Sequence, residues 1–371
     1  RSSRKQHFEK EMTNTIDKTI DQHIKEGVSF AIWRRPNEER IHYAIQRNGK
    51  PKELRSIAHL KGQRGFIMVP FQISDSCPIV ALEPDEVGEW EVHTTGPIPK
   101  EPKAFSDAAS VPDPDYAQRF FAFTQPLRQD SQRKLVLSRK KRIRRNAGFS
   151  VGKAFLSAVT RYIRSFVYLC HTPQTGTWMG STPEILLSGV QLNWRTVALA
   201  GTQPLRNGMV EEQWSPKNQK EQQLVAQYIH DQLGALGIKS QEKGPYPVRA
   251  GEVCHLKSDF FFTLPDLSML GDLLEKLHPT PAVCGLPKEW ALQFIRKEEG
   301  YDRTYYSGFV GWLAPQEQSD LYVNLRCMQI DEHHFDLYAG GGLLKASQLD
   351  EEWNETEIKL DTMRRLIHYE H

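Results

Sequence analysis

Near its C-terminal end this chain runs from the mainly apolar residues 335–338 through Ala339-Gly340-Gly341-Gly342-Leu343 into a segment where charges and apolar side chains share one helical face. Consecutive glycines have no Cβ, so another group can approach their backbone closely. At about 100° per residue, Glu352, Glu355, Lys359, Met363 and Leu366 fall within one narrow stripe. A fold that buries Met363 and Leu366 must therefore also find partners for two carboxylates and an ammonium. Two readings are open at this point. Glu355 and Lys359 form either a surface i,i+4 pair worth a few tenths of a kcal/mol or part of a charged wall facing a ligand.

A length of 371 residues permits a large core, in one big domain or two ordinary ones. Apolar content of 39% with 25% charged residues is that of a soluble globular protein, and a net charge of +2 is too balanced to imply a nucleic-acid partner. There is no run of 18 apolar residues and the N-terminal stretch is polar, which argues against a transmembrane helix or signal peptide. Cys77, Cys170, Cys254, Cys284 and Cys327 are scattered, odd in number and free of CxxC spacing. They read as reduced thiols in a cytoplasmic protein.

In chain order, residues 7–26 have the spacing of an amphipathic helix, and 28–33, 41–45, 65–71 and 79–82 read as short strands. Five prolines within 94–114 predict a long loop. A helix from about 115 leads to a buried strand at 134–139, followed by six cations in the seven residues 139–145. That run lacks the interleaved aromatics of a base-stacking surface and reads as a solvated face. A helix at 151–163 precedes strands at 165–170 and 184–188, which flank Trp178-Met-Gly-Ser-Thr-Pro-Glu184. After Ala198-Leu-Ala-Gly201-Thr202, Ser215 and Pro216 open a long helix by N-cap and first-position chemistry. Glu221 lies mid-stripe on it among Leu224, Val225, Tyr228 and Ile229, where an unpaired charge would be costly. Residues 305–312 give a strand, and 321–330 alternate with Arg326 on the face of Tyr322, Asn324 and Met328. Strand pairs with helices between groups indicate an α+β fold, a large and mostly antiparallel sheet core flanked by helices.

Glu221 and Glu355 make an oxygen-rich pair, which suits a hard divalent cation such as Mg²⁺ held by one or two carboxylates plus substrate oxygens. Zinc spacings and phosphate-loop or dinucleotide glycine patterns are absent.

Lys134 before Leu-Val-Leu-Ser-Arg, Gly180-Ser-Thr-Pro-Glu184, Ala200-Gly201-Thr202, Glu221, His255-Leu, His278-Pro-Thr-Pro-Ala-Val-Cys-Gly, Arg326-Cys, Ala339-Gly-Gly-Gly and Glu355 to Lys359 occur in one order. In that order the chain resembles the chorismate-utilising enzymes, whose fold is that of anthranilate synthase component I, and most closely their isochorismate synthases. The likeness covers roughly 115–367. It implies one large domain over 1–371, with a divergent part at 1–114 and the motif-bearing part at 115–371. It also implies a Mg²⁺-dependent isomerisation of chorismate to isochorismate, serving menaquinone or siderophore synthesis, in a monomer that needs neither membrane nor nucleic acid.

Carried onto this sequence, the resemblance makes Lys134 the general base for water attacking ring carbon 2, and Glu184 the general acid for the hydroxyl leaving carbon 4. Glu221 and Glu355 would hold Mg²⁺ against the ring carboxylate, with Glu352 as an outer partner. His255 and Lys359 would orient the substrate, while Arg326, Tyr306 and the Gly340 amide would receive the enolpyruvyl carboxylate. Gly201, Thr202 and Ala282 would complete the pocket. Relatives that deliver ammonia usually carry glutamine at the place of Lys134, so lysine implies water as nucleophile and no glutaminase partner. Salicylate synthases share the lysine and eliminate pyruvate, but alanine at 282 is the usual residue of enzymes that stop at isochorismate. Asn218 departs from the resemblance, since relatives often place an acidic residue there.

Overall fold

The protein was analysed as a computed structural model that describes residues 15–92, 110–251 and 253–367. The 94–109 part of the expected loop and the 7–14 part of the expected first helix lie outside them. The helices are α1 (15–26), α2 (Pro114–Leu127), α3 (Val151–Arg161), α4 (Pro216–Ala235), α5 (Leu270–Leu277), α6 (Lys288–Glu298) and α7 (Leu349–Ile367). None among the described residues is long and apolar enough to cross a membrane.

The expected α+β architecture is present, with the β component of the described residues divided into two nine-stranded sheets, antiparallel at every pairing among them. The first sheet runs from Gly285–Leu286 at one edge through Lys134–Arg144, His334–Leu343, Cys327–Ile330, Gly176–Thr182, Phe166–Thr172, Ser29–Arg34 and Arg40–Gln46 to Glu86–Glu91. The second runs from Ser240–Ala250 through Val253–Thr263, Asn193–Pro204, Ile185–Val190, Ser319–Val323, Phe309–Leu313, Gly65–Val69 and Ile79–Leu82 to Lys52–Leu54.

Away from their exposed edge strands both sheets are buried on both faces, and the period-two alternation of strand side chains sorts residues between two apolar layers. In Ser29–Arg34, Phe30 and Ile32 pack on the helix side with α1, α3 and α7, while Ala31 and Trp33 face the other sheet. In Gly65–Val69, Ile67 and Val69 join a cluster with α4 and α5, while Phe66 and Met68 face inward. The outcome is a four-layer stack: helices, sheet, sheet, helices. A further cluster under α2 and α6 closes the first sheet near Lys134–Arg144.

Three expectations need correction. The strand expected at 134–139 continues to Arg144, and the solvated face expected of the basic run holds for Lys140, Lys141, Arg142 and Arg144, which are exposed, but not for Arg139. Arg139 is buried over the Trp353 ring at 3.7 Å and pairs with Glu357, and Arg142 grips Asp336 through two 2.8 Å bonds. Residues 321–330 are not one alternating strand. Ser319–Val323 belongs to the second sheet and Cys327–Ile330 to the first, with Arg326 at φ 46° where the chain crosses. Finally, Gly176–Thr182 and Ser240–Ala250 are strands that were not expected. Glycines at 176 and 180 obscure the first, and an exposed edge carrying Pro245 and Pro247 obscures the second.

Candidate active site

One cavity opens between the sheets at the end where the Gly340–Gly342 strand faces Asn193–Pro204 and Val253–Thr263. Glu184, Gly201, Thr202, Glu221, His255, Ala282, Tyr306, Arg326, Gly340 and Lys359 all line it. Lys134, Glu352 and Glu355 stand one layer back, packed against its glycine floor.

Two of these residues sit where the chain passes from one sheet to the other. Pro183 cannot donate to a ladder, so Gly176–Thr182 ends there, and Glu184 follows before Ile185–Val190 joins the second sheet. The return crossing holds Arg326. The crossings are laced together: Thr182 Oγ1 donates to Val323 O at 2.7 Å, and Ser181 N donates to Arg326 O at 3.0 Å. An acid and a guanidinium are thus fixed side by side by backbone that has left both ladders. Burial pushes the Glu184 carboxyl up to about 8, against the pull of Lys134, Arg326 and Lys359, so it is mostly protonated at neutral pH.

His255 lies opposite a bulge in Asn193–Pro204, where Gly201 adopts φ 78° and the register shifts between Ala200 and Thr202. Its Nδ1 lies 3.1 Å from Gly201 O and 3.2 Å from Thr202 Oγ1, and Arg326 Nη2 is 2.7 Å from its Nε2. Burial first, then Arg326 and Lys359, hold this imidazole well below its usual pKa. A neutral ring with hydrogen on Nδ1 accepts from the guanidinium through Nε2. Burial also lowers Arg326 to about 10. Asn218 is engaged by the backbone: its Nδ2 donates to Thr202 O at 3.0 Å and braces the bulge.

The floor depends on missing Cβ atoms. A Cβ on Gly342 would lie 2.1 Å from Glu221 Oε1 and 2.7 Å from Lys134 Cε; one on Gly341 would lie 3.1 Å from Glu352 Oε2 and 3.3 Å from Glu355 Oε1. Three carboxylates from two helices therefore converge over adjacent glycines. Each has a lysine beside it: Lys134 Nζ 2.9 Å from Glu221 Oε1, Lys217 Nζ 2.6 Å from Glu352 Oε1, and Lys359 Nζ 2.6 Å from Glu355 Oε1. The i,i+4 pair and the pocket wall are one and the same, since Lys359 also donates to Gly340 O at 2.9 Å. For Glu221 burial acts upward, but Lys134 and Lys217 outweigh it and the carboxyl is held below its usual range. For Glu352 burial prevails over Lys217 and raises it to about 7.

Lys217 was missed at the sequence level, although it stands one helical turn before Glu221 on α4. Lys134 has 0% exposure, and its ammonium makes no well-aligned hydrogen bond among the described residues despite its nearness to Glu221.

A family model for chorismate-binding enzymes matches residues 79–368. The chain belongs to the chorismate-binding enzyme family. Over 205 residues it is 33% identical to the isochorismate synthase DhbC of Bacillus subtilis, covering 53% of this chain and 51% of that protein. The chain thus spans about half the length of the curated relatives it matches. Its fold is similar to that of MenF, the menaquinone-specific isochorismate synthase from Escherichia coli, with a TM-score of 0.73, 22% identity and coverage of 92% and 89% of the two chains. It is also similar to anthranilate synthase component I from Streptococcus pneumoniae, with a TM-score of 0.64, 17% identity and coverage of 90% and 89%.

Within this chorismate-binding fold the carboxylates suit a hard divalent cation. Glu352 Oε2 is buried without a well-aligned hydrogen bond, and the glycine floor leaves room beside it and Glu355. Among the described residues no group of three His, Cys, Asp or Glu forms a ready-made cage. An ion here would share carboxylate oxygens with substrate and water, the usual manner of Mg²⁺.

Proposed function

We propose that this protein is an isochorismate synthase, converting chorismate to isochorismate with Mg²⁺. The reading is carried by one observation: a fully buried lysine and a buried glutamic acid, whose carboxyl burial pushes up to about 8, bear on the same cavity, Lys134 beneath its floor and Glu184 in its wall. An amine to accept a proton and an acid to supply one are what water addition with loss of hydroxyl requires.

Glu221 and Glu355 would hold the ion, with Glu352 behind them. A Mg²⁺ ion held there would supply the positive charge that reconciles the ring carboxylate with the glutamates and would offset the Glu221 charge that otherwise engages Lys134. Lys134 removes a proton from the water that adds to ring carbon 2, and Glu184 protonates the hydroxyl departing carbon 4 as water. Arg326, held by the Ala250 carbonyl at 3.2 Å and by His255, presents its planar fork to the second carboxylate. Tyr306, stacked on Tyr338 at 5.1 Å, forms the wall beside it. Lys359 and neutral His255 orient the substrate without themselves moving protons. Nothing in this scheme calls for a second protein.

Chorismate incubated with the purified protein and Mg²⁺ should yield isochorismate, with turnover lost on chelation and restored by adding the ion back. Pyruvate released in step with chorismate loss would replace this reading with a salicylate synthase. No turnover alongside calorimetric binding of chorismate would leave a binding protein.

A further inference from the structure

Lys134–Arg144 pairs along one edge with His334–Leu343, but on its outer edge it has a strand neighbour among the described residues only over two residues, because Gly285–Leu286 pairs with Leu135 and Lys134 and then stops. Val136 N still donates to Cys284 O at 2.9 Å. Beyond that, the ladder groups on this side are met by two side chains. Arg303 Nη2 donates to Val136 O at 2.8 Å, and Glu299 Oε1 accepts from Ser138 N at 2.7 Å and from Ser138 Oγ at 2.6 Å. Arg303 and Glu299 are joined by bonds of 2.6 and 2.8 Å, so the pair stands in for the missing stretch of strand.

The same guanidinium reaches other walls of the cavity. Its Nη1 donates to Val283 O at 2.7 Å, one residue beyond Ala282, and its backbone carbonyl accepts from Tyr306 N at 3.0 Å. Phe71 lies beneath it at 4.4 Å. Both charged residues are buried and neither lines the cavity.

We propose that Arg303, held by Glu299, is a positioning residue that sets the place of Lys134 relative to the Ala282 loop and Tyr306. The proposal rests on the reading of Lys134 as the base. A buried ion pair is poor evidence of net stabilisation, because apolar residues of similar size often serve as well or better. What apolar residues cannot supply is a rigid fork that binds two carbonyls from different segments at once. Displacement of a reacting group by about 1 Å can cost on the order of a hundredfold in rate.

Arg303→Lys keeps a cation opposite Glu299 but cannot span Val136 O and Val283 O together. The expected result is a cooperatively folded protein whose kcat falls about thirtyfold or more while KM for chorismate changes less than about threefold. Amide exchange within 134–140 should also become faster. The paired replacement Glu299→Leu with Arg303→Met leaves neither charge of the pair without its partner, so it tests the idea if the single variant does not fold; it should still unfold cooperatively, at a lower temperature because Val136 O, Ser138 N and Val283 O lose partners, and show the same kcat deficit. Wild-type kcat in either folded variant overturns the proposal. Lys134→Ala measured alongside separates the two failures. If it retains turnover, the assignment of the base is wrong; if it is inactive while Arg303→Lys is fully active, only the positioning role is lost.

Discussion

The gap between the two sheets is filled in opposite ways at its two ends. Around Ser29–Arg34 and Phe309–Leu313 it is packed with rings: Trp33 stacks on Trp312 at 5.3 Å, and Phe166 on Tyr322 at 4.3 Å. At the other end, between His334–Leu343 and Val253–Thr263, glycines take the places of large side chains and buried charges crowd over them. The same strand geometry serves both. The ring-filled end holds the sheets at their spacing, and the glycine end spends that rigidity on keeping buried charged groups close together. The difference predicts that substitutions at one end change rate and at the other change stability.

The largest effect belongs to Lys134. Lys134→Ala should lower kcat by about a thousandfold, the size expected for loss of general base catalysis, while circular dichroism stays that of the wild type. Isochorismate formation at a tenth of the normal rate or better would remove Lys134 from the chemistry. Gly342→Ala comes next. Its Cβ would sit 2.1 Å from Glu221 Oε1, so the carboxylate must move, and kcat/KM should fall by roughly a hundredfold with weaker Mg²⁺ binding by calorimetry. Unchanged metal affinity would show that the floor does not shape the ion's site.

At the ring-filled end the expectation reverses. Trp33→Ala should destabilise by about 3–5 kcal/mol in denaturant titrations, since a buried indole leaves a cavity that its neighbours fill only partly. Turnover per folded molecule should not change. A loss of kcat comparable to that of Gly342→Ala would mean that the two ends are mechanically coupled and the contrast is false.

How much of this the sequence disclosed follows the same division. The strands in 28–33 and 65–71 were legible as short apolar runs because both of their faces are buried. Motif-bearing charges such as Glu221, Glu355 and Lys359 stood out because they interrupt stripes that otherwise want burial. Arg326 was legible as a residue but not as a place, because a sheet crossing at φ 46° has the same local composition as a continuous strand. Lys217, Glu299 and Arg303 were illegible as parts of the site. Each looks like an ordinary helical or loop charge until the tertiary fold brings Glu352, Val136 and Val283 to it. Gly176–Thr182 was hidden by its glycines: Gly176 turns the chain at φ 69°, and Tyr168 and Cys327 pack closely on Gly180.

Glu184 yields the smallest effect and the most specific one, because its carboxyl is raised from 4.5 to about 8. For activity, the protonated form is the working acid, so kcat/KM should fall about tenfold per pH unit above pH 8. For stability the folded protein keeps this proton up to about pH 8, whereas the unfolded chain gives it up near 4.5. Between those values the folded state binds more protons, and stability declines as pH rises. Below 4.5 both states are protonated and the group contributes no slope. Glu184→Gln removes the decline, so its melting temperature relative to wild type should climb from pH 5 to pH 8 by on the order of 2–5 °C and then level off. A melting difference that does not vary with pH would mean that Glu184 is ionised in the folded protein, and the glycine end would then lack the proton donor that its chemistry requires.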